Sequence, residues 1–326
     1  MGAALAEWRW DDGDGKRRPV AGEGPDAARL AAAYRHCAEV VRASGSSFAA
    51  AFWMLPRRQR DALHAVYAFC RLADDIADDP AVRGDRRRLL DRWRAELESA
   101  YEGTASGVVA TALADAAHRF ALPRETFLDL LAGVESDLTG GRIETTADLD
   151  RYCYRVASTV GLLVVRILGF RNPLALEYAQ AQGIAVQLTN VLRDVGDDAR
   201  SGRVYLARTD LDRFGVDPAT LAAGRMTEEL RCLLAHYGER ARIHYERAAA
   251  LLPSEDRHRL RAAEAMGLIY RRLLDELHRR GFPCLGSPLR LSRRRRLALA
   301  AGVWLGIPRA FETLGRRVPP PVLVGP

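Results

Sequence analysis

The sequence predicts an all-α protein, and three observations carry that expectation. Apolar residues recur at helical spacing from about Asp26 onward. Short Gly, Pro and Ser breaks separate these long periodic stretches. No segment shows the apolar/polar alternation or the turn dipeptides of a strand hairpin. With 48% hydrophobic residues in a chain of 326, there is ample material for a buried core, and a disordered or fibrous chain is excluded.

Taken in order, the periodicity predicts helices over 26–43, 57–79, 85–101, 108–120, 124–138, 146–169, 174–199, 226–251 and 255–280, with a less regular one over 292–306. Pro56 and Pro173 suit helix starts, and Pro80 stops the helix that follows Pro56. Gly281 comes directly after a basic last turn at Arg279 and Arg280. The stretch 200–225 is loop-rich but too short to separate domains. The expected organisation is a disordered leader over 1–25, one domain over 26–308 and a flexible tail over 309–326.

Composition narrows the function less than it narrows the fold. Cys37, Cys70, Cys153, Cys232 and Cys284 are odd in number and scattered, with no CxxC, so neither a disulfide framework nor a zinc site is signalled, and a reducing cytoplasm fits. The net charge of +7 rests on arginine, the only lysine being Lys16. Such a balance suits nucleic acid, a phosphate-bearing substrate and an acidic membrane surface alike. The leader, with Glu7, Asp11, Asp12 and Asp14, lacks the basic start and apolar core of a signal peptide. The apolar run Leu297–Ile307 falls short of the ~20 residues a spanning helix needs.

Two acidic motifs carry the chemistry. The first is Arg71-Leu-Ala-Asp74-Asp75-Ile-Ala-Asp78-Asp79, at the end of a predicted helix. At ~3.6 residues per turn, Asp74 and Asp78 share a face with Arg71 and Tyr67. Carboxylates one turn apart repel, and at a helix C-terminus the macrodipole adds to the penalty, so a divalent cation is the natural counter-charge. Mg²⁺ suits such carboxylates combined with waters and phosphate oxygens, with Mn²⁺ as a substitute, and Arg71 offers a planar fork to phosphate. Alone, the motif reads more readily as a solvated helix end; the apolar remainder of its helix argues for burial.

The second motif is Gln187-Leu-Thr-Asn190-Val-Leu-Arg193-Asp194-Val-Gly-Asp197-Asp198. Gln187, Asn190, Asp194 and Asp198 follow i, i+3, i+7, i+11 spacing and form one polar stripe, a donor set for a hard cation. A surface helix would show such a stripe too; two acidic helices in one chain shift the balance toward a metal site held in a helical bundle.

The blocks SFAAAFWMLP (47–56), YAFCRLADDIADD (67–79), YCYRVASTVGLL (152–163) and QLTNVLRDVGDDARSGRVYL (187–206) closely resemble the squalene/phytoene synthase family, in its order and spacing, from about Tyr34 to Leu297. The resemblance implies a single-domain isoprenoid synthase fold around a deep central cavity, and head-to-head (1'-1) condensation of two prenyl diphosphates. It further implies that Asp74 and Asp78 form the first metal-binding motif and Asn190, Asp194 and Asp198 the second. Arg71, Gln187 and Arg193 match diphosphate-contacting positions, and Tyr67, Tyr152 and Tyr270 match tyrosines at the reaction centre. Phe48, Phe52, Val156, Ala157, Val160 and Gly161 match positions that cradle the prenyl chains. Ser47 is grouped with the substrate-binding residues, although a serine there also serves as a helix-junction cap. The chemistry agrees: ionising an allylic diphosphate needs its departing charge neutralised, and the cation left behind needs dry aromatic and apolar walls.

The motifs are common to the family's several products. The stretches 152–190, 262–277 and 290–300 look most like bacterial hopanoid-pathway presqualene diphosphate synthases, which favours two farnesyl diphosphates as substrates. Phytoene synthesis from two geranylgeranyl diphosphates is the runner-up. Two departures stand out: Ala49–Ala51 where relatives often carry an aromatic residue beside Phe48, and Tyr205-Leu206-Ala207 where YLP is usual. Small residues at 49–51 would enlarge a cavity they faced, which leans toward the longer substrate.

Use of NADPH is not predicted, because the glycines of the leader follow no strand. A terpene cyclase would carry NDxxSxxxE, which Asn190–Asp198 does not match. From another class, a basic helical nucleic-acid module would rest on Arg293–Arg296, but no stacking aromatics or helix-turn-helix spacing accompany them, so no nucleic-acid partner is expected. Beside the apolar run from Leu297 these arginines suggest peripheral contact with the inner face of a membrane.

Overall fold

The computed structural model describes residues 27–44, 55–79, 82, 84–138, 140, 143–286 and 288–306. They group into two compact units: residues up to Gly140 together with Leu162–Gly169, and Gly141–Gly161 together with the residues from Phe170 onward. The described residues contain helices and no strand.

The first unit contains α1 (Ala27–Ser44), α2 (Arg57–Asp78), α3 (Arg86–Tyr101), α4 (Val108–Phe120) and α5 (Arg124–Leu138). Helix α2 is its centre, packing against the other four. Its buried residues run almost all the way round the helix, as they must for one enclosed by neighbours. The densest packing is aromatic. Phe69 stacks on Trp93 with ring centroids 5.1 Å apart and meets Phe127 edge-on at 5.4 Å. All three rings are fully buried; each contributes about 1.5–3 kcal/mol by leaving water. Trp93 donates its indole N–H to the Phe69 carbonyl at 3.2 Å, so the ring is also fixed in orientation. Helix α3 begins where the Asp85 carboxylate accepts from the amides of Arg87 and Arg88.

The second unit contains α6 (Thr146–Cys153), a π-helical segment (Tyr154–Ser158), the start of α7 (Thr159–Leu168), and α8 (Leu174–Arg200), α9 (Arg208–Phe214), α10 (Pro218–Ala222), α11 (Glu228–Leu251), α12 (Arg261–Arg279) and α13 (Arg293–Trp304). Helix α8 is the spine, packing against α6, the π segment, α10, α11 and α12. Thr145 opens α6 with a reciprocal capping box, its hydroxyl accepting from the Asp148 amide while the Asp148 carboxylate accepts from the Thr145 amide.

Most predicted helices form within two residues of their expected limits, and α13 forms as well. Three expectations are corrected. The helix foreseen over 146–169 is interrupted by the π segment, where the Thr159 hydroxyl donates to the Arg155 carbonyl at 2.6 Å and the Ser158 hydroxyl to the Gln180 carbonyl of α8 at 2.8 Å. The loop-rich stretch 200–225 holds α9 and α10. The helix foreseen from 255 begins at Arg261, because Asp256, fully buried, turns its carboxylate to the backbone amides of Arg171 and Asn172 at 2.8–2.9 Å. That carboxylate needs those donors more than a helix needs the residue.

Backbones approach closely where α8 passes the π segment and the start of α7. A Cβ on Gly183 would sit 2.4 Å from Ser158 Cα, and one on Gly161 would lie 2.9 Å from the Ala179 carbonyl oxygen. Only glycine allows these backbones to touch.

Candidate active site

The first acidic motif lies on α2. Between Tyr67 and Asp78, every residue is buried except Tyr67, Arg71, Asp74 and Asp78, so these four form the open stripe of this part of the helix. Asp74 is open to solvent, yet protein crowds its carboxylate. That crowding, together with the negative charges of Asp78, Asp137 and Asp75, outweighs the nearby Arg71 guanidinium and raises its pKa to about 8. Arg71 is committed elsewhere: it pairs with Asp75, one turn on, at 2.5 Å. Asp75 is buried, and this burial raises its pKa even against the guanidinium. The sequence reading missed Asp75, although the doublet Asp74-Asp75 lies i+3 and i+4 from Arg71 and so offers the arginine two partners.

The second motif lies on the last three turns of α8. Gln187, Asn190, Arg193, Asp194, Asp197 and Asp198 are partly exposed, while Leu188, Thr189, Val191, Leu192, Val195 and Gly196 are buried. Asn190 donates its amide to Gln187 Oε1 at 3.2 Å; its own Oδ1 is buried and has no hydrogen-bond donor among the described residues. An orphaned amide oxygen in a carboxylate stripe is an acceptor that a hard cation can use. Arg193 folds back on its neighbour, its Nε donating to Asp194 Oδ1 at 2.8 Å and its Nη2 to Oδ2. Burial works against the Arg193 charge, but Asp194 and a hydrogen bond with Tyr270 more than offset it, and its pKa is raised.

Around α8, Tyr152 is buried and stacks on Tyr205 at 4.9 Å. Tyr245 is buried with its hydroxyl 3.0 Å from Thr189 Oγ1; since that oxygen spends its proton on the Ala185 carbonyl, the tyrosine is the donor. Tyr205 and Tyr245 were not anticipated as site residues. Tyr205 had a signal, because it lies at the end of the block 187–206 that carries the family resemblance; Tyr245 had none beyond being a tyrosine on a helix that packs against α8. Val156, Ala157 and Val160, on and beside the π segment, are partly exposed, and Gly161 meets Ala179. Ser47, Phe48 and Phe52, with Ala49–Ala51, lie outside the described residues.

No group of three or more His, Cys, Asp or Glu side chains forms a ready-made metal cage among the described residues. Mg²⁺ takes one or two carboxylates and completes its shell with waters and substrate phosphates. The paired carboxylates on α2, and separately the orphaned Asn190 oxygen on α8, are each ligands of the kind such an ion takes.

Residues 41–297 match the model of the squalene/phytoene synthase family. The chain belongs to the squalene/phytoene synthase family. It is 38% identical to a presqualene diphosphate synthase of Rhodopseudomonas palustris over 261 residues, 79% of this chain and 92% of that protein. It is 36% identical to a phytoene synthase of Arthrospira platensis over 262 residues, 76% of this chain and 84% of that protein. Among solved structures, a ligand-bound dehydrosqualene synthase superimposes with a TM-score of 0.76 at 30% identity, covering 86% of this chain and 99% of that one. The protein is thus a prenyl-group transferase with the all-α isoprenoid synthase fold, of a family that uses divalent metal for diphosphate binding.

Proposed function

We propose that this protein condenses two farnesyl diphosphates head to head into presqualene diphosphate. The carrying observation is the pair of acidic stripes on α2 and α8, with the orphaned Asn190 Oδ1 in the second. The relative from Rhodopseudomonas palustris supports the C15 substrate. In balance, the C1–O bond of one farnesyl diphosphate breaks and its electron pair leaves with pyrophosphate. The double bond of the second molecule captures the allylic cation, and loss of a proton closes the product, which keeps one diphosphate.

Bound Mg²⁺, or Mn²⁺ in its place, would supply the charge that lets pyrophosphate leave. Asp74 and Asp78 on α2, and Asn190, Asp194 and Asp198 on α8, are the residues proposed to hold it. Arg71, Arg193 and Gln187 are proposed to orient the diphosphate, with Arg193 moving from Asp194 to phosphate as substrate enters. Tyr67, Tyr152 and Tyr270 are assigned to the reaction centre, where their faces stabilise the cation. Val156, Ala157, Val160 and Gly161, with Ser47, Phe48 and Phe52, are assigned to the prenyl chains, whose walls exclude water. All of these belong to one domain spanning 26–308 in this proposal.

Phytoene synthesis from two geranylgeranyl diphosphates is the second reading, favoured by the relative from Arthrospira platensis. Incubation with each diphosphate, with and without NADPH, and mass spectrometry of the products separates the two. Presqualene diphosphate formed only with Mg²⁺ or Mn²⁺ is the expected result; a C40 product selects phytoene synthase, and metal-independent or absent turnover overturns both.

No described helix is long and apolar enough to cross a membrane. Peripheral contact at the inner face of the membrane is part of the proposal. Arg293, Arg294 and Arg295 lie exposed in the first turn of α13, the end at which the helix dipole disfavours cations, and Leu297 and Leu305 are exposed further along. An anionic headgroup surface answers both features. Salt-sensitive cosedimentation with phosphatidylglycerol vesicles but not phosphatidylcholine vesicles, reduced in Arg293→Ala/Arg294→Ala/Arg295→Ala, checks it; binding that depends on neither lipid charge nor these arginines rejects it.

A further inference from the structure

The segment between α8 and α9 runs past the end of the second acidic motif, and both of its ends are pinned. At one end the Arg203 amide donates to the Asp198 carbonyl at 2.9 Å. At the other, the Ala207 amide donates to the hydroxyl of Tyr237, on α11, at 2.9 Å. Between the pins, Arg203, Val204 and Tyr205 line one small cleft together with Asp198, and the Tyr205 ring stacks on Tyr152. The position of this strap therefore decides what stands beside Asp198.

Tyr237 is placed to control it. Its side chain is 0% exposed, and Ala207 is equally enclosed. The hydroxyl both accepts from Ala207 and donates to Asp210 Oδ2 at 2.8 Å, which uses its single proton and fixes its direction. The ring is held from two sides, by the Arg240 guanidinium 5.6 Å from its centroid and by the edge-on imidazole of His236 at 5.9 Å. Arg240 is itself anchored to Asp150 of α6 at 2.8 Å. The hydroxyl is thus a fixed point that the strap must meet.

Ala207 shows why such a point is needed. Its φ of −61° is the angle that a proline ring would enforce, and its ψ of 136° is one that proline readily adopts, yet alanine enforces neither. What the chain has in place of a ring is an N–H, and that N–H is spent on Tyr237. We infer that Tyr237 is a positioning residue of the active site: its hydroxyl holds Ala207 in a proline-like conformation and so sets the 203–207 strap, with Tyr205, beside Asp198. This rests on the assignment of Asp198 to the metal-binding stripe.

The test is a double-mutant cycle between Tyr237 and Ala207, read by amide hydrogen exchange of the whole chain and by steady-state kinetics with farnesyl diphosphate and varied Mg²⁺. Tyr237→Phe keeps the ring and its neighbours but removes the pin. Amides of 204–207 should then exchange at least about tenfold faster, since the variant loses both the bond from Ala207 and the one to the buried Asp210, with α11 unchanged. Half-saturating Mg²⁺ should rise and kcat fall by a similar factor well below the melting temperature.

Ala207→Pro alone should also slow the enzyme, because the ring would occupy the space beside the Tyr237 hydroxyl. Adding Ala207→Pro to Tyr237→Phe should restore most of the lost activity, since proline sets φ and leaves no orphaned donor. Unchanged exchange in Tyr237→Phe overturns the inference, as does a double variant as slow as the sum of its parts, or a lower melting temperature with kcat and Mg²⁺ dependence intact. If the wild type turns over neither prenyl diphosphate, the functional reading fails, and the exchange result still decides whether the strap is pinned.

Discussion

Helices α2 and α8 carry matching acidic stripes, and they manage the resulting charge in opposite ways. On α8 the nearest guanidinium, Arg193, closes on a carboxylate of the stripe itself, Asp194. On α2 the nearest guanidinium, Arg71, turns to the buried Asp75, leaving Asp74 beside Asp78 with its pKa raised to about 8. One arginine pairs within its stripe, and the other pairs with a buried carboxylate beside its stripe. The same spacing in sequence therefore sends one arginine to a carboxylate of the stripe and the other to a buried neighbour, and the choice is made by whichever neighbouring carboxylate is costlier to leave unpaired.

The sharpest way to break this comparison is to remove one carboxylate from each stripe. Asp74→Asn and Asp194→Asn should each lower turnover by roughly 10²–10³-fold or more, as expected for groups serving charge development. Their effects on stability should have opposite signs. An acid whose pKa is raised in the folded state destabilises the fold as pH climbs past the unfolded value of 3.8, so removing the Asp74 carboxylate should raise the melting temperature at pH 7 in EDTA. Asp194→Asn should lower it, because Arg193 loses its partner. Melting curves that shift in the same direction would erase the distinction.

Next in size is the packing that supports α8. Gly183→Ala would drive a methyl group against Ser158 Cα and should cost about 1–3 kcal/mol or more in urea unfolding, with a loss of turnover. Ala73→Gly in α2 meets no such clash and should cost about 1–2 kcal/mol, from backbone freedom and the loss of one buried methyl group.

A finer contrast separates the arginines. Arg71→Gln strands the buried Asp75 and should cost about 1–3 kcal/mol. Arg193→Gln, whose partner Asp194 is partly open to water, should cost less than about 1 kcal/mol while lowering turnover more. Equal costs in the two variants would mean that burial does not decide where the guanidinium goes.

The smallest effect lies away from both stripes. Glu276 accepts hydrogen bonds from Arg279 and Arg280, which hold its pKa down at about 2. Its contribution is complete above the unfolded value of 4.5 and is lost as pH falls toward 2, so Glu276→Gln should flatten the decline of the urea midpoint across that window.

The part of this that was legible in the sequence is the part that is local. The stripes on α2 and α8 are patterns at helical spacing, and their open faces match the residues picked out by period alone. The π segment was hidden because YRVAS has no local signal for an extra residue per turn; it is fixed by Ser158 and Gly183, which are distant in sequence and adjacent in space. The short helices α9 and α10 were hidden by length, since Arg208–Phe214 spans too few residues for a period to show. The Arg71–Asp75 pair and the Tyr237 pin depend on which of several reachable partners is buried, a property of packing rather than of order along the chain.

The π segment carries one more consequence. A wide turn holds one residue more than an α-helix needs, so it fixes the rotational phase between the helical turns on its two sides. Straightening this turn into a regular helix with all its residues kept would swing the start of α7 about 100° against α6. Val160 and Gly161 would then address different neighbours. The wide turn thus keeps both residues in place by absorbing the extra position, and Ser158 and Gly183 are what hold it wide.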